Sequence, residues 1–373
     1  MDQITHKSLL GLQLPELSEL VEEFGQPSYR ARQLFEALYR QRIETTGQIS
    51  TLPENFRKSL TDEGFSVGLP EIENRFVSSD GTIRYLVVCA DGQTVETVWM
   101  PEGDGGEAGD GSEAAPREGT GRAWERATIC VSSQVGCAVD CQFCLTALLG
   151  IKRNLTAGEI VGQVCAVLND RKVVPPQERV NLVFMGMGEP FLNYDNFIKA
   201  VRLLTEGVGI PESRMTVSTA GIAPRICDLG DESVRPKLAI SLNASNDELR
   251  SRLMPINRKW NLESLISAAR NFPLRNREKL TFEYVLLDEV NDSAENAREL
   301  VELIRGLRAK VNLIALNPGP GIEFRTPGQD RVLQFQNILI AAGVPAFVRR
   351  PRGRDIYAAC GQLKRTLEIV PAS

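Results

Sequence analysis

Ala127-Thr128-Ile129-Cys130-Val131-Ser132 reads as a buried strand, and it leads without a break into Ser133-Gln134-Val135-Gly136-Cys137-Ala138-Val139-Asp140-Cys141-Gln142-Phe143-Cys144. It is the first of six such runs, followed by Val180 to Met187, Met215 to Ser218, Leu238 to Leu242, Leu280 to Leu287 and Val311 to Leu316. Helical or loop segments follow each run, most clearly at 157–168, 193–206, 262–271, 293–309 and 330–342. Strands alternating with helices predict a parallel sheet covered by helices. Six units fall short of the eight that close the common barrel, so the expected α/β fold is an open six-stranded (βα)6 partial barrel. Its chemistry belongs at the carboxyl ends of the strands, where the cysteine loop stands.

Cys137, Cys141 and Cys144 have the spacing Cys-x3-Cys-x2-Cys. A 4Fe-4S cluster takes one thiolate per iron, so three cysteines leave one iron open to a small chelator. The expected chelator is the amino and carboxylate end of S-adenosylmethionine, whose sulfonium bond a reduced cluster can break to an adenosyl radical. Two other readings stand beside this one. Structural zinc needs a fourth ligand, and with His6 the only histidine it would have to recruit Cys130. A redox dithiol of Cys141 and Cys144 leaves Cys137 without a task.

At 373 residues, 42% apolar and 24% charged, the chain has the composition of an ordinary soluble globular protein. No apolar run approaches membrane-spanning length, and the first residues have neither a signal-peptide core nor a transit composition, so the expectation is a cytoplasmic protein without a membrane partner. Eight cysteines are too sparse for a disulfide scaffold, and a reducing compartment suits a cluster. Cys89, Cys165 and Cys227 lie among Val, Leu and Ile and read as inert buried residues.

The net charge of −5 is unevenly spread. Residues 102–118 carry six carboxylates against Arg117 alone, which accounts for the whole of it. Residues 349–365 carry Arg349, Arg350, Arg352, Arg354, Lys364 and Arg365 against Asp355, a local excess of +5 around Cys360. A positive field beside a cysteine suits a phosphate-bearing substrate, the alternative being a solvated charge run.

Four regions follow from the pattern. Residues 1–66 read as a helical accessory domain, with helices at Pro15 to Phe24, Ser28 to Arg42 and Asn55 to Leu60. Arg30, Arg32, Arg40 and Arg42 lie there beside Tyr29 and Tyr39, a mix that grips a nucleic-acid backbone or simply solvates a helix. Residues 67–122 read as an antiparallel β meander, Ile72 to Val77, Thr82 to Cys89 and Thr94 to Met100, followed by a mobile acidic Gly-rich loop at 102–121. The barrel takes 123–350, and a basic tail carrying Cys360 takes 351–373. At the barrel mouth, Gly186-Met187-Gly188-Glu189-Pro190, Ser218, Ser241-Leu242-Asn243 and Asn317 close successive strands with small polar residues, which fits a site for ribose and amino-acid groups.

Val95-Glu96-Thr97-Val98, Cys130 to Cys137, Gly186 to Pro190, Pro255-Ile256-Asn257, Asn317-Pro318 and Ala359-Cys360-Gly361-Gln362 together resemble the RlmN/Cfr family of radical S-adenosylmethionine RNA (adenine) methyltransferases, over almost the whole chain and closest to RlmN. The resemblance implies an adenosine substrate, methylated at C2 in 23S ribosomal RNA and beside the anticodon of certain transfer RNAs by RlmN, and at C8 of the ribosomal adenosine by Cfr. It implies a 4Fe-4S cluster on Cys137, Cys141 and Cys144, and S-adenosylmethionine, two per turnover, among Gly188, Glu189, Ser218, Ser241, Leu242, Asn243 and Asn317. It further implies that Cys360 takes a methyl group by displacement and that an adenosyl radical abstracts hydrogen from that methyl. The carbon radical then adds to the electron-poor C2, Glu96 takes the ring proton, and Cys130 attacks Cys360 to release the RNA. The disulfide so formed, like the cluster, needs a reductant, and the expected protein is a monomer.

Three departures from the family pattern stand out. Asn243 replaces the usual His after Ser-Leu, which implies a weaker or differently oriented cofactor contact; residues 102–121 are an insertion; Leu145 is bulkier than usual. A non-catalytic iron-sulfur RNA-binding relative is the competing class, and the intact trio Glu96, Cys130 and Cys360 argues against it.

Overall fold

The computed structural model describes residues 7–102 and 126–363. The acidic loop read at 102–121 lies, but for Glu102, outside the described residues, as do Lys364 and Arg365 of the basic run.

Ten strands form one sheet whose spatial order is the order of the chain. β1 (Glu71–Val77), β2 (Ile83–Val88) and β3 (Thr94–Glu102) are the antiparallel meander, and β3 pairs antiparallel with β4 (Arg126–Cys130). From β4 on, every pairing is parallel: β5 (Val180–Phe184), β6 (Met215–Thr219), β7 (Lys237–Ser241), β8 (Leu280–Leu286), β9 (Ala309–Ala315) and β10 (Ala346–Val348). The six barrel strands are those the sequence predicts. β10 adds a seventh that three residues were too few to announce, and the meander extends the barrel sheet through Val98 opposite Cys130.

The helices are α1 (Leu14–Glu23), α2 (Tyr29–Phe35), α3 (Glu54–Asp62), α4 (Ala157–Arg171), α5 (Tyr194–Leu203), α6 (Ala223–Asp231), α7 (Asp247–Leu253), α8 (Leu262–Asn271), α9 (Ala294–Leu303) and α10 (Gln329–Ala341). None among the described residues is long and apolar enough to cross a membrane. α4 opens on a capping box, Thr156 with Glu159, and is buried almost all round because the sheet lies on one side and the N-terminal helices on the other. A Cβ on Gly158 would come within 2.1 Å of the Leu10 carbonyl oxygen, so only glycine permits that approach.

Several sequence expectations are corrected here. Tyr39 is fully buried, accepting from the Gly11 N–H at 3.0 Å and donating to the Leu12 carbonyl at 2.7 Å. Arg42 is buried too, donating to Asn169 and to the Val173 carbonyl, and therefore fastens the N-terminal helices to α4 rather than facing a ligand. Cys89 and Cys165 are buried as expected, whereas Cys227 is exposed, because it falls on the outer face of α6 opposite Ile226 and Leu229.

Residues 349–363 make a strap from the last strand to the turn between β1 and β2, where Gly353 N–H donates to Asp80 (3.0 Å) and Asp355 accepts from the Ser78 hydroxyl (2.6 Å) and the Ser79 N–H (3.2 Å). The strap then returns to the barrel mouth with Cys360.

Candidate active site

The loop after β4 brings Cys137, Cys141 and Cys144 to the wall of one cavity of about 160 Å³. Burial, with the neighbouring thiolates adding to it, pushes the Cys137 thiol up to about 12 and holds Cys141 well above the ordinary range. Three soft sulfur donors on one cavity wall are suited to a metal centre that supplies compensating charge. No histidine lies among the described residues, and both oxygens of Glu189 are taken by backbone N–H groups, Phe191 at 3.0 Å and Ala220 at 2.6 Å. The donor set therefore fits a cluster with three protein thiolates and one open iron, and does not fit four-coordinate zinc.

The rest of that cavity wall comes from successive strand ends: Gly188 and Glu189 after β5, Ser218 on β6, Ser241 and Asn243 at the end of β7, and Asn317 after β9. Gly188 has φ +95°, and a Cβ there would meet the Gln134 backbone nitrogen at 2.7 Å. Burial pushes the Glu189 carboxyl up to about 7, against the backbone hydrogen bonds that favour its charged form. Asn243 adopts a left-handed backbone, φ +58°, accepts from the Val285 N–H at 2.8 Å and donates to the Met254 sulfur at 3.2 Å. Leu242 is fully buried and does not line the cavity; its carbonyl accepts from Arg250.

A second, larger cavity of about 450 Å³ runs inside the barrel and shares Cys144, Glu283, Asn317 and Cys360 with the first. Cys130 lines it as well, so the structure brings both extra cysteines to one space. Burial raises both thiols, and each also feels the Glu283 carboxylate. Cys360 is enclosed by the strap and the strand ends, yet its surface opens to the cavity. Its carbonyl accepts from Asn317 at 3.3 Å.

Glu96 is placed differently. It is fully buried on β3, ion-paired with the equally buried Arg84 of β2, and lines neither cavity. Its backbone carbonyl accepts from the Ser132 hydroxyl at 2.6 Å, just ahead of the cysteine loop.

Comparison with known proteins agrees with this geometry. Residues 131–304 match the model of the Radical SAM superfamily. A probable dual-specificity RNA methyltransferase RlmN of Koribacter versatilis is 66% identical over 353 residues, covering 95% of this chain and 100% of that protein. The chain belongs to the RlmN family of radical SAM RNA methyltransferases. A dual-specificity RNA methyltransferase RlmN of Syntrophobacter fumaroxidans is 44% identical, covering 94% and 96% of the two chains. A crystal structure of a radical SAM methyltransferase from Sphaerobacter thermophilus superposes with a TM-score of 0.85 at 43% identity, over 96% of this chain and 99% of that one. Membership of the radical SAM superfamily brings a 4Fe-4S cluster and S-adenosylmethionine with it.

Two residues at this candidate site escaped the sequence reading. Glu283 lies inside the run Leu280 to Leu287, yet it lines both cavities and accepts from the Ser218 hydroxyl at 2.7 Å. Its position, three residues into an otherwise apolar strand, was the available signal. Arg250 is wholly buried and donates to the carbonyls of Ala220 (2.7 Å), Ser241 (3.2 Å) and Leu242 (3.1 Å) and to Asn257 (2.9 Å), so one side chain ties the ends of β6 and β7 to the Pro255-Ile256-Asn257 turn.

Proposed function

We propose that this chain methylates C2 of an adenosine in 23S ribosomal RNA and of the adenosine beside the anticodon in certain transfer RNAs, through a methylated Cys360 and a covalent RNA-protein intermediate. The observation that carries the reading is the shared cavity: Cys130 and Cys360 line the space that also reaches Cys144. A binding module has no use for two reactive thiols placed together beside three more.

In this reading Cys137, Cys141 and Cys144 hold the 4Fe-4S cluster, and Gly188, Glu189, Ser218, Ser241, Asn243 and Asn317 frame S-adenosylmethionine, while Leu242 is buried behind them and positions Ser241 and Asn243. When bound, these groups supply a methyl group and, from a second S-adenosylmethionine, an adenosyl radical. Cys360 is the nucleophile that becomes the thioether and carries the one-carbon unit. Cys130 attacks its sulfur, forming a disulfide as the sulfur-carbon bond to the RNA breaks, and an external two-electron reductant restores both thiols. Glu96 accepts the ring proton only after leaving Arg84. The protein works as a monomer in the cytoplasm, where ribosomal and transfer RNA are found.

Mass spectrometry of total RNA from cells with and without the gene tests this. Loss of 2-methyladenosine, restored by the parent and not by Cys360→Ala, is the expected result. Loss of 8-methyladenosine assigns the C8 reaction instead, and an unchanged RNA removes the methyltransferase reading.

A further inference from the structure

The barrel interior is hollow and carries polar side chains beside apolar ones such as Val183, Met185 and Ile314, where a parallel barrel is ordinarily filled by branched apolar residues. Alternation along the strands separates the two faces. Outward, Ile129, Phe184, Val217, Ile240, Phe282 and Leu313 pack under the helices with no exposed surface. Inward, at the cavity wall, stand Thr128, Asn181, Thr216 and Glu283. Lys310 and Asn312 are buried on the same inward face of β9. Polar groups kept in a hollow of about 450 Å³ are suited to a polar occupant.

The amino-terminal end of the same hollow is basic. Arg179 immediately precedes β5 and Arg214 immediately precedes β6, and both reach the cavity wall. The two cations lie close enough that, after burial, the charge of Arg179 is what further disfavours the charged form of Arg214. Among the described residues only Asp80 and Glu283 bring carboxylates to this wall. Asp80 is engaged by the Gly353 and Thr82 N–H groups, and Glu283 stands at the other end with Ser218. Two like charges at one cavity wall, with no carboxylate between them among the described residues, suit an anion.

We propose that this hollow seats the substrate nucleotide strand, with Arg179 and Arg214 at its floor binding a phosphate oxyanion while the opposite end presents the base to Cys360. The proposal rests on RNA being the substrate. Lys237 at the foot of β7 and Lys237's level on neighbouring strands set the distance: the four residues from there to Ser241 span roughly 13 Å at about 3.3 Å per residue.

The test uses the full-length, cluster-loaded protein and a short adenosine-containing RNA hairpin, with binding measured against salt. Arg179→Ala/Arg214→Ala is expected to flatten the plot of log affinity against log salt by about 0.7, the one single-strand phosphate the two side chains share. Arg179→Lys/Arg214→Lys keeps the charge and is expected to restore the slope, which separates lost contact from lost folding. Arg298→Ala, on the exposed face of α9, supplies the baseline for a surface arginine. A double-alanine slope equal to that baseline overturns the proposal. Inorganic phosphate and adenosine monophosphate are titrated against the hairpin in parallel. Competition by either in the parent, lost in the double variant, supports an oxyanion floor used by the strand. Binding of inorganic phosphate without any competition makes it a free-anion site and overturns the assignment to RNA. Formation of 2-methyladenosine by the parent is assayed separately, so an inactive parent with a normal slope change faults the functional reading and not the floor.

Discussion

The N–H of Leu145, the residue after the last cysteine of the loop, donates to the carbonyl of Gly361, the residue after Cys360, over 2.8 Å. Thr146 continues the ladder with a 2.6 Å hydrogen bond from its hydroxyl to the Leu363 carbonyl. Leu145 fills the space beside Gly319, where a Cβ would meet it at 2.6 Å. The cysteine loop and the Cys360 strap are therefore one mechanical unit.

Thr146→Val should loosen that unit without touching a sulfur. It leaves the buried Leu363 carbonyl without its donor, a cost of about 1–3 kcal/mol confined to the strap. Faster hydrogen exchange or proteolysis at 353–363 with unchanged iron content is the expected pattern. Unchanged exchange there would mean that the anchors at Asp80 and Asp355 hold the strap alone.

Cys137→Ala, Cys141→Ala and Cys144→Ala should each lose the cluster, because two thiolates cannot retain four irons. Iron and sulfide analysis after anaerobic reconstitution reads this directly. A single variant that keeps full iron would require a ligand outside the loop, and Cys130 would be the first to examine.

Cys130→Ala should still allow Cys360 to be methylated and joined to RNA, and should block release. The purified variant is expected to carry nucleic acid that survives denaturant. Protein free of RNA and fully active would reduce Cys130 to a packed residue of β4.

The strand-helix beat was legible because each strand is apolar on its outward face and bounded by turns, and the cysteine loop announced itself by spacing. The inward face was hidden: Thr128 and Thr216 pass unnoticed in strand-type runs, since Thr suits strands whatever it faces. Glu283 was masked by the six apolar or strand-forming residues around it. Arg250 gave no signal, because its hydrogen bonds go to carbonyls far apart in the chain. The pairing of Glu96 with Arg84 depends on register, which sets Leu86 opposite Glu96 and Val98 opposite Arg84, and only the folded sheet supplies that.

Glu283→Gln should make both cavity thiols more acidic, because the carboxylate raises Cys360 and Cys130 alike. For an acid whose ionisation is opposed by a neighbouring negative charge, removing that charge moves titration to lower pH. The pH profile of Cys360 alkylation, followed by mass spectrometry, should shift in that direction while Ser218 keeps a hydrogen-bonding partner. A profile that does not move would place Glu283 too far from the thiols to act on them.

The Arg84–Glu96 pair separates stability from chemistry. Both side chains are fully buried, so Arg84→Met removes one charge of a buried ion pair and should cost about 3–5 kcal/mol, with much of that recovered in Arg84→Met/Glu96→Leu. Denaturant unfolding of the two variants and the parent measures this. Glu96→Gln answers the other question. If Glu96 leaves the pair to take the ring proton, the variant should methylate Cys360 normally, since that step involves no ring, and should yield no 2-methyladenosine. Full activity in Glu96→Gln would confine Glu96 to holding Arg84 and Ser132 beneath the cysteine loop, and the proton would then have to go to a group that lines the cavity, such as Glu283.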